Sequence, residues 1–136
     1  MQGPIDAPLT VLVDARNVIR SRWPNFEEER FVELTREWGE REDARLVAVF
    51  DGGAPRPTRA AATDERMRIV GTGTESADDW IVREAEQLSR DGGRIALVSS
   101  DHELRRRVSQ HVQQVIGGGA FATLLESLER SPRLPS

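Results

Sequence analysis

Short apolar segments alternate along the chain with longer segments whose apolar residues recur at helical spacing. Compact runs of β-branched and aliphatic residues are typical of strands that are buried on both faces of a parallel sheet. Glycine-rich turns follow the second and third of these runs. We predict five strands, over residues 9–13, 45–50, 67–70, 94–98 and 112–116.

Between the strands, Phe26, Phe31, Leu34 and Trp38 mark the inner face of a helix over residues 26–40. Asn25 is expected to cap this helix, because its side chain can accept a hydrogen bond from the first turn. Glutamates in that turn suit the positive end of the helix dipole. Further helices are predicted over residues 76–90, 101–110 and 120–129.

Strands that alternate with helices predict parallel βαβ units joined by right-handed crossovers, and therefore an α/β fold class. At 136 residues the chain can bury one core but not two. We expect one domain over residues 9–130, with a flexible lead-in over 1–8 and a flexible tail over 131–136. Residues 54–63 contain two prolines and are expected to be irregular and exposed.

The composition excludes several classes of protein. Hydrophobic residues make up 38% of the chain and charged residues 31%, which fits a soluble globular protein. No apolar segment is long enough to cross a bilayer, and the first residues lack the pattern of a secretory signal. We therefore expect a cytoplasmic protein with no membrane partner. The absence of cysteine excludes disulfide frameworks, thiol catalysis and zinc–thiolate sites.

The net charge is −4, yet all 19 basic residues are arginine. The codon usage of a GC-rich genome explains a chain without lysine. Arginine also binds phosphate through two N–H groups at once and stacks on bases. Both explanations stay open, and the positions of the arginines matter more than their number.

Acidic residues follow three of the predicted strands. Asp14 comes directly after the first strand, Asp51 directly after the second, and Asp101 soon after the fourth. Asp78 and Asp79 open a helix. Each acid alone has an ordinary explanation as a turn, cap or first-turn residue. Because the carboxyl ends of parallel strands meet at one edge of the sheet, we expect these acids to lie together where ligands bind.

Carboxylates gathered at one edge repel one another. Two of them about 4 Å apart repel by roughly 4 kcal/mol at an effective dielectric constant of about 20. A fold that gathers several of them needs a cation or raised pKa values. Oxygen ligands without histidine or cysteine select Mg²⁺ or Mn²⁺. Phosphodiester hydrolysis is the reaction that this arrangement most naturally serves.

Other phosphate-binding folds match the same residues poorly. The chain has no lysine, which excludes a Walker phosphate loop. Gly71 and Gly73 stand in the middle of the chain without the third glycine of a dinucleotide-binding fingerprint. Arg16 stands where a phosphatase with a covalent aspartate needs a second acid.

Five segments resemble the NYN domain, a PIN-like group of ribonucleases that includes the bacterial YacP-type proteins. They are VLVDARNVI (11–19), VAVFDG (47–52), TESADDWI (74–81), ALVSSDHEL (96–104) and IGGGAF (116–121). The resemblance runs over nearly the whole chain and implies a three-layer α/β/α sandwich with a parallel five-stranded sheet. It also implies metal-dependent cleavage of RNA, with Mg²⁺ or Mn²⁺ as the cofactor.

The resemblance gives each acid a role by its position in these motifs. The implied catalytic residues are Asp14, Asn17, Asp51, Asp78 and Asp101. The implied metal ligands are Asp14, Asp51, Asp78, Asp79 and Asp101, with Ser100 as a hydrogen-bond donor behind them. One departure matters. Ala15 and Arg16 stand where YacP-type proteins usually carry glycine and tyrosine, which leaves base stacking and substrate choice open.

Contacts with RNA are expected from arginines, most of them in loops near the acidic edge. They are Arg16, Arg20, Arg22, Arg56, Arg59, Arg66 and Arg68. Trp23 either stacks on a base or packs against the first helix, while Trp38 and Trp80 are expected in the core.

The expected function is a divalent-metal-dependent endoribonuclease that acts on single-stranded or looped RNA. Three alternatives stay open. They are an RNA- or protein-binding module of the same fold with weak or lost catalysis, a small-molecule phosphoesterase, and a deoxyribonuclease. The sequence does not distinguish a monomer from a homodimer.

Overall fold

A computed structural model describes residues 8–130 of the chain. The tail predicted over 131–136, and all of the predicted lead-in except Pro8, lie outside the described residues. The elements are β1 (Leu9–Asp14), α1 (Ala15–Ile19), α2 (Glu28–Glu42), β2 (Arg45–Phe50), α3 (Arg59–Thr63), β3 (Met67–Gly71), α4 (Ala77–Arg90), β4 (Arg94–Val98), α5 (His102–Val108), β5 (Gln114–Ile116) and α6 (Gly118–Arg130). Within residues 8–130, no helix is long and apolar enough to cross a membrane.

The described strands form one five-stranded parallel sheet in the order β3-β2-β1-β4-β5. The central strand is β1, where Val13 pairs with Ala48 of β2 on one side and with Val98 of β4 on the other. The chain adds strands first on one side of β1 and then on the other. A crevice therefore opens at the carboxyl ends of β1 and β4, which is where ligands bind in open α/β sheets.

Alternate residues of the central strands face two apolar clusters, one on each side of the sheet, which together form the core of the sandwich. Val11 and Val13 point to a cluster that they share with Phe31 of α2 and Phe121 of α6, whereas Leu12 points to the opposite cluster. The first cluster is covered by α1, α2, α3 and α6, and the second by α4 and α5. Burial on both faces is why β1 is a continuous apolar run. The predicted α/β class, with helices on both sides of a five-stranded parallel sheet, is confirmed.

The segment 54–63 was expected to be irregular throughout, and its second half is instead the short helix α3. Thr58 caps this helix, because its Oγ1 accepts a hydrogen bond from the Ala61 N–H at 3.2 Å. The three consecutive alanines that follow Arg59 have the highest helix propensity of any residue. The prolines at 55 and 57 precede the first residue of the helix, so they do not disrupt its hydrogen bonds.

Three element ends also differ from the expected ones. Asn25 is not a cap, since α2 begins at Glu28 and the residue before it makes no side-chain capping bond. Strand β5 is shorter than expected, because the His111 N–H donates to Val108 O at 2.8 Å and keeps the preceding residues in a turn. Helix α6 begins at Gly118, two residues before the predicted start.

Candidate active site

The carboxyl edge of the sheet encloses a pocket of about 590 Å³, which we call the acidic pocket. Its lining comes from the end of β1, helix α1, the turns after β2 and β4, and the first turn of α4. The lining residues are Asp14, Arg16, Asn17, Arg20, Ser21, Asp51, Ala77, Asp78 and Ser100. Three of the five acids expected at this edge therefore line one pocket.

Asp14 is the last residue of the central strand, and its side chain is only 9% exposed. It precedes α1 but makes no capping bond to that helix, so its carboxylate is not used there. Ser99 Oγ donates a hydrogen bond to Asp14 Oδ2 at 3.0 Å. Burial raises the pKa of Asp14 to about 6; the Ser99 bond opposes the shift, and repulsion from Asp78, Asp101 and Asp51 adds to it.

Asp78 lies in the first turn of α4 and is half-buried. Burial raises its pKa, and repulsion from Asp101 and then from Asp79 and Asp51 raises it further, while Arg107 lowers it. Asp51 is exposed in the turn after β2. The mutual repulsion means that these carboxylates lie close enough to sense each other's charge.

Asp101 is the N-cap of α5, since its Oδ1 accepts hydrogen bonds from the Glu103 N–H at 2.9 Å and the Leu104 N–H at 3.1 Å. Asp101, and not Ser100, therefore caps this helix. It does not line the acidic pocket, but its charge raises the pKa of both Asp14 and Asp78. Asp101 therefore caps α5 and also adds its negative charge to that of the other acids.

Asp79 differs from the other acids. It is exposed and forms an ion pair with Arg107 of α5, with Nη2 3.0 Å from Oδ1. Its side chain does not line the acidic pocket. The expectation that Asp79 is a further metal ligand is not supported by this arrangement, because adjacent residues on a helix point in different directions.

A set of hydrogen bonds holds the turn between β4 and α5 beneath the acidic pocket. The Asp101 N–H donates to Ser99 Oγ at 3.1 Å, and Ser99 in turn donates to Asp14. Asn17 Oδ1 accepts the Ser100 N–H at 2.9 Å. Ser100 was expected to donate to the acids, but its Oγ instead accepts the Gly118 N–H at 2.8 Å.

Two residues of this set were missed by sequence reasoning. Ser99 is fully buried and orients Asp14. The sequence feature that could have identified it is a polar residue directly after an apolar strand. Gly118 lies where a Cβ atom would overlap Asn17 Oδ1. The sequence feature that could have identified it is the run of three glycines after β5. Asn17 therefore joins α1 to two turns at the acidic edge, which gives it a positioning role.

Two of the expected RNA-binding arginines are engaged within the protein. Arg16 lines the acidic pocket, but Nη1 forms an ion pair with Glu28 at 3.0 Å and Nη2 donates to Gly53 O at 3.3 Å. Arg22 binds Glu126 at 3.2 Å and Gly119 O at 3.1 Å on α6. Both guanidinium groups tie loops of the acidic edge to neighbouring helices.

Two others lie away from the acidic pocket. Arg66 precedes β3, at the opposite edge of the sheet, where it forms an ion pair with Asp43 at 3.1 Å. Arg66 thus lies far from the acids because it precedes its strand instead of following it, and its expected contact with RNA stays a prediction. Arg68 lies over Trp80, 5.3 Å from the ring centroid, and 3.5 Å from Glu84.

The remaining three arginines are exposed, and their guanidinium groups have no hydrogen bond or ion pair among the described residues. Arg56 and Arg59 lie in and after the loop that follows Asp51. Arg20 lines the acidic pocket itself. Of the seven expected arginines, Arg20 is therefore the one that faces the acids with its guanidinium available.

Of the three tryptophans, Trp38 and Trp80 pack against the buried core clusters as expected, and Trp23 is exposed. Trp23 is 91% exposed, so the interpretation that it packs against the first helix is wrong. Trp38 is half-buried and meets Phe121 edge-on, with ring centroids 5.0 Å apart. Trp80 is half-buried beneath Arg68.

The donor chemistry of the acidic pocket fits a hard divalent cation. The side chains are carboxylates, and burial and mutual repulsion raise the pKa of two of them. Within residues 8–130, however, no group of three acidic, histidine or cysteine side chains is already arranged to hold an ion. The carboxylates would therefore have to move closer together to bind one.

Residues 11–133 match the family model of the YacP-like NYN domain. Rae1 (YacP) from Bacillus subtilis has a similar fold, with a TM-score of 0.68 at 20% identity over 90% of this chain and 76% of that one. The search of curated proteins returned no match.

More distant structural matches come from bacteriophage T5. The D15 protein crystallised with metal ions has a TM-score of 0.55 at 14% identity, over 78% of this chain and 53% of that one. The T5 D15 flap endonuclease in a complex with DNA and metal ions has a TM-score of 0.53 at 13% identity, over 78% of this chain and 54% of that one. At these identities the matches show the fold.

Proposed function

The chain belongs to the family of YacP-like NYN domains, and from that premise we propose that it is a divalent-metal-dependent endoribonuclease. Its substrate is single-stranded or looped RNA. One observation carries the proposal. Asp14 ends the central strand and lines the acidic pocket, and its pKa is raised to about 6 by burial and by three neighbouring acids. Such uncompensated charge is typical of a catalytic cation site.

Mg²⁺ or Mn²⁺ would be held by Asp14, Asp51 and Asp78, with Asp101 at the margin of the group. Asp79 is left out because Arg107 already binds it. When bound, the cation lowers the pKa of water and neutralises negative charge that develops on the phosphate. The T5 structures that share this fold were determined with metal ions, which supports a metal cofactor for this chain.

The protein's own residues position the reacting groups. Ser99 fixes the rotamer of Asp14 through a 3.0 Å hydrogen bond. Asn17 and Ser100 hold the turns on either side, which fixes the backbone that carries the carboxylates. Arg20 contacts a phosphate, since its guanidinium faces the pocket without a partner among the described residues.

Cleavage of labelled RNA tests this proposal. Wild-type protein and Asp14→Asn are compared on a mixed-sequence RNA and a matched DNA in Mn²⁺, Mg²⁺ and EDTA. Asp43→Asn is the matched control, because it makes the same change at the opposite edge of the sheet. We expect cleavage by wild type and by Asp43→Asn in metal only, and none by Asp14→Asn. Cleavage in EDTA, or by Asp14→Asn, would overturn the proposal. Cleavage of DNA but not of RNA would show that the substrate is DNA.

The second candidate is an RNA- or protein-binding module of the same fold. It is favoured by one observation, the absence of a group of three ligands already arranged around an ion within residues 8–130. Intact, salt-sensitive RNA binding without cleavage in any metal would favour this candidate. A cytoplasmic location and a single domain over 9–130 remain part of the proposal.

A further inference from the structure

Trp23 is the most exposed large hydrophobic side chain of the described residues. It is 91% exposed, and the other exposed one, Leu124, is only 40% exposed. Folded proteins usually bury most of a tryptophan, because the indole ring gains much free energy when it leaves water. An indole left in water therefore needs an explanation other than the stability of the fold.

The loop that carries Trp23 is held on both sides. Before it, Ser21 Oγ donates to Val18 O at 2.6 Å. After it, the Phe26 N–H donates to Ile19 O at 3.3 Å. Next to it, Arg22 is bound to Glu126 at 3.2 Å and to a backbone carbonyl of α6. The outward direction of the indole therefore belongs to an anchored loop.

The same loop forms one wall of the acidic pocket. Arg20 and Ser21 line the pocket, and Trp23 follows two residues after Ser21. The Cα atoms of Arg20 and Trp23 can be at most about 11 Å apart. That is the length of about three stacked bases, at roughly 3.4 Å each. The loop thus presents a free guanidinium at the acidic pocket and an aromatic face within about three nucleotides of it.

We propose that Trp23 stacks on an unpaired base of the strand that enters the acidic pocket, while Arg20 binds a phosphate of the same strand. This inference rests on the proposed function and names the part of the substrate that the loop recognises. A base within a duplex already has both faces stacked, so the indole selects single-stranded RNA. The guanidinium of Arg20 at the pocket suits a nucleic acid, because it can bind a phosphate of the strand while the indole stacks on one of its bases.

The binding test uses the full chain carrying Asp14→Asn, so that RNA remains intact, and a fluorescein-labelled oligo(U) in Mg²⁺. Adding Trp23→Ala should weaken binding by about 5- to 150-fold, and Trp23→Phe should retain most of the affinity, because phenylalanine can still stack. Leu124→Ala, which removes the other exposed apolar side chain, should leave affinity unchanged. Binding of a fully paired RNA duplex should be equal with and without Trp23→Ala.

Abasic oligonucleotides locate the stacked base. A series of oligonucleotides carries one abasic residue each, at successive positions. At one of these positions the missing base should weaken binding to the protein that has Trp23, and it should have no effect on binding to Trp23→Ala. Equal affinities with and without Trp23→Ala would overturn the inference and leave Trp23 as a contact for a protein partner. No position sensitive to Trp23, or no binding of any RNA, would overturn it too.

The inference and the proposed function fail separately. Wild-type protein that cleaves RNA in a metal- and Asp14-dependent way, with Trp23→Ala unchanged in binding and cleavage, would remove only the stacking site. A Trp23-dependent abasic position in a protein that cleaves nothing in Mg²⁺ or Mn²⁺ would keep the stacking site and remove the nuclease.

Discussion

The two edges of the sheet carry the same kinds of charged residue and use them in different ways. At the amino edge, Asp43 forms an ion pair with Arg66 at 3.1 Å, and Asp64 lies 3.8 Å from Arg36. At the carboxyl edge, Asp14, Asp51 and Asp78 form no ion pair with an arginine anywhere in residues 8–130. At this second edge, burial and then repulsion among the carboxylates raise the pKa of Asp14 and of Asp78.

Arginine is not lacking near the acidic pocket. Arg16 lines it, but its guanidinium is bound to Glu28, and Arg107 of α5 is bound to Asp79. Each of these cations forms its ion pair with an acid outside the cluster. The comparison shows acids paired with arginines at the amino edge and acids without such partners at the carboxyl edge, which is where we propose that a cation binds.

The largest expected effect separates two adjacent acids of the carboxyl edge. Asp78→Asn should lower the rate of RNA cleavage by about 100- to 1,000-fold, because it replaces a charged carboxylate ligand of the proposed cation with a neutral amide. Asp79→Asn should cost less than about tenfold, since Asp79 is bound to Arg107 and does not line the pocket. Single-turnover cleavage rates in Mn²⁺ measure both. Equal losses would mean that the two acids share one role.

The next effect concerns stability without metal. The pKa of Asp14 is about 6 in the folded protein against an ordinary 3.8, so the folded state holds the proton between these values and the unfolded state has lost it. Stability therefore falls as pH rises from about 4 to about 6. Asp14→Asn removes this group. The variant should be more stable than wild type by up to about 3 kcal/mol above pH 7, with no gain below pH 4.

Urea unfolding in EDTA at a series of pH values measures this difference. The corresponding change at the amino edge, Asp43→Asn, is the matched control. A wild-type protein as stable as Asp14→Asn at pH 8 would contradict the claim that the buried charge is uncompensated.

The smallest effect is expected at the amino edge. Asp43→Ala removes one member of an exposed ion pair, and such pairs contribute about 0–1 kcal/mol. The alanine also has to adopt the left-handed backbone of Asp43, at a φ of 52°, which adds about 1 kcal/mol. Asp43→Asn, which tolerates this backbone, should cost less than Asp43→Ala. Chemical unfolding measures the loss of stability in both variants. Equal losses would show that losing the charge matters more than the left-handed backbone.

Most of the fold could be predicted because it depends on local patterns. Continuous apolar runs such as residues 9–13 identify strands buried on both faces, and an acid directly after a run belongs to the carboxyl edge. The sheet order then places Asp14 between the other acids. Helix α3 was missed because the prolines before it outweighed the alanines within it.

The engagement of individual side chains could not be predicted. Whether Asp79 is available depends on Arg107, which is 28 residues away on another helix. Arg22 was expected to contact RNA, and its partner Glu126 is 104 residues away. No local pattern reports such pairs, because they form only after the helices pack on the sheet. The exposure of Trp23 is of the same kind, since it depends on which elements cover the loop.

Binding of Mn²⁺, followed by isothermal titration calorimetry, tests most directly the claim that the acidic pocket is a cation site. Wild type and Asp43→Asn should bind the ion alike, and Asp14→Asn should bind it at least about tenfold more weakly, because a ligand has been removed at one edge only. Binding to Asp14→Asn as tight as to wild type, or no binding to wild type, would contradict the account.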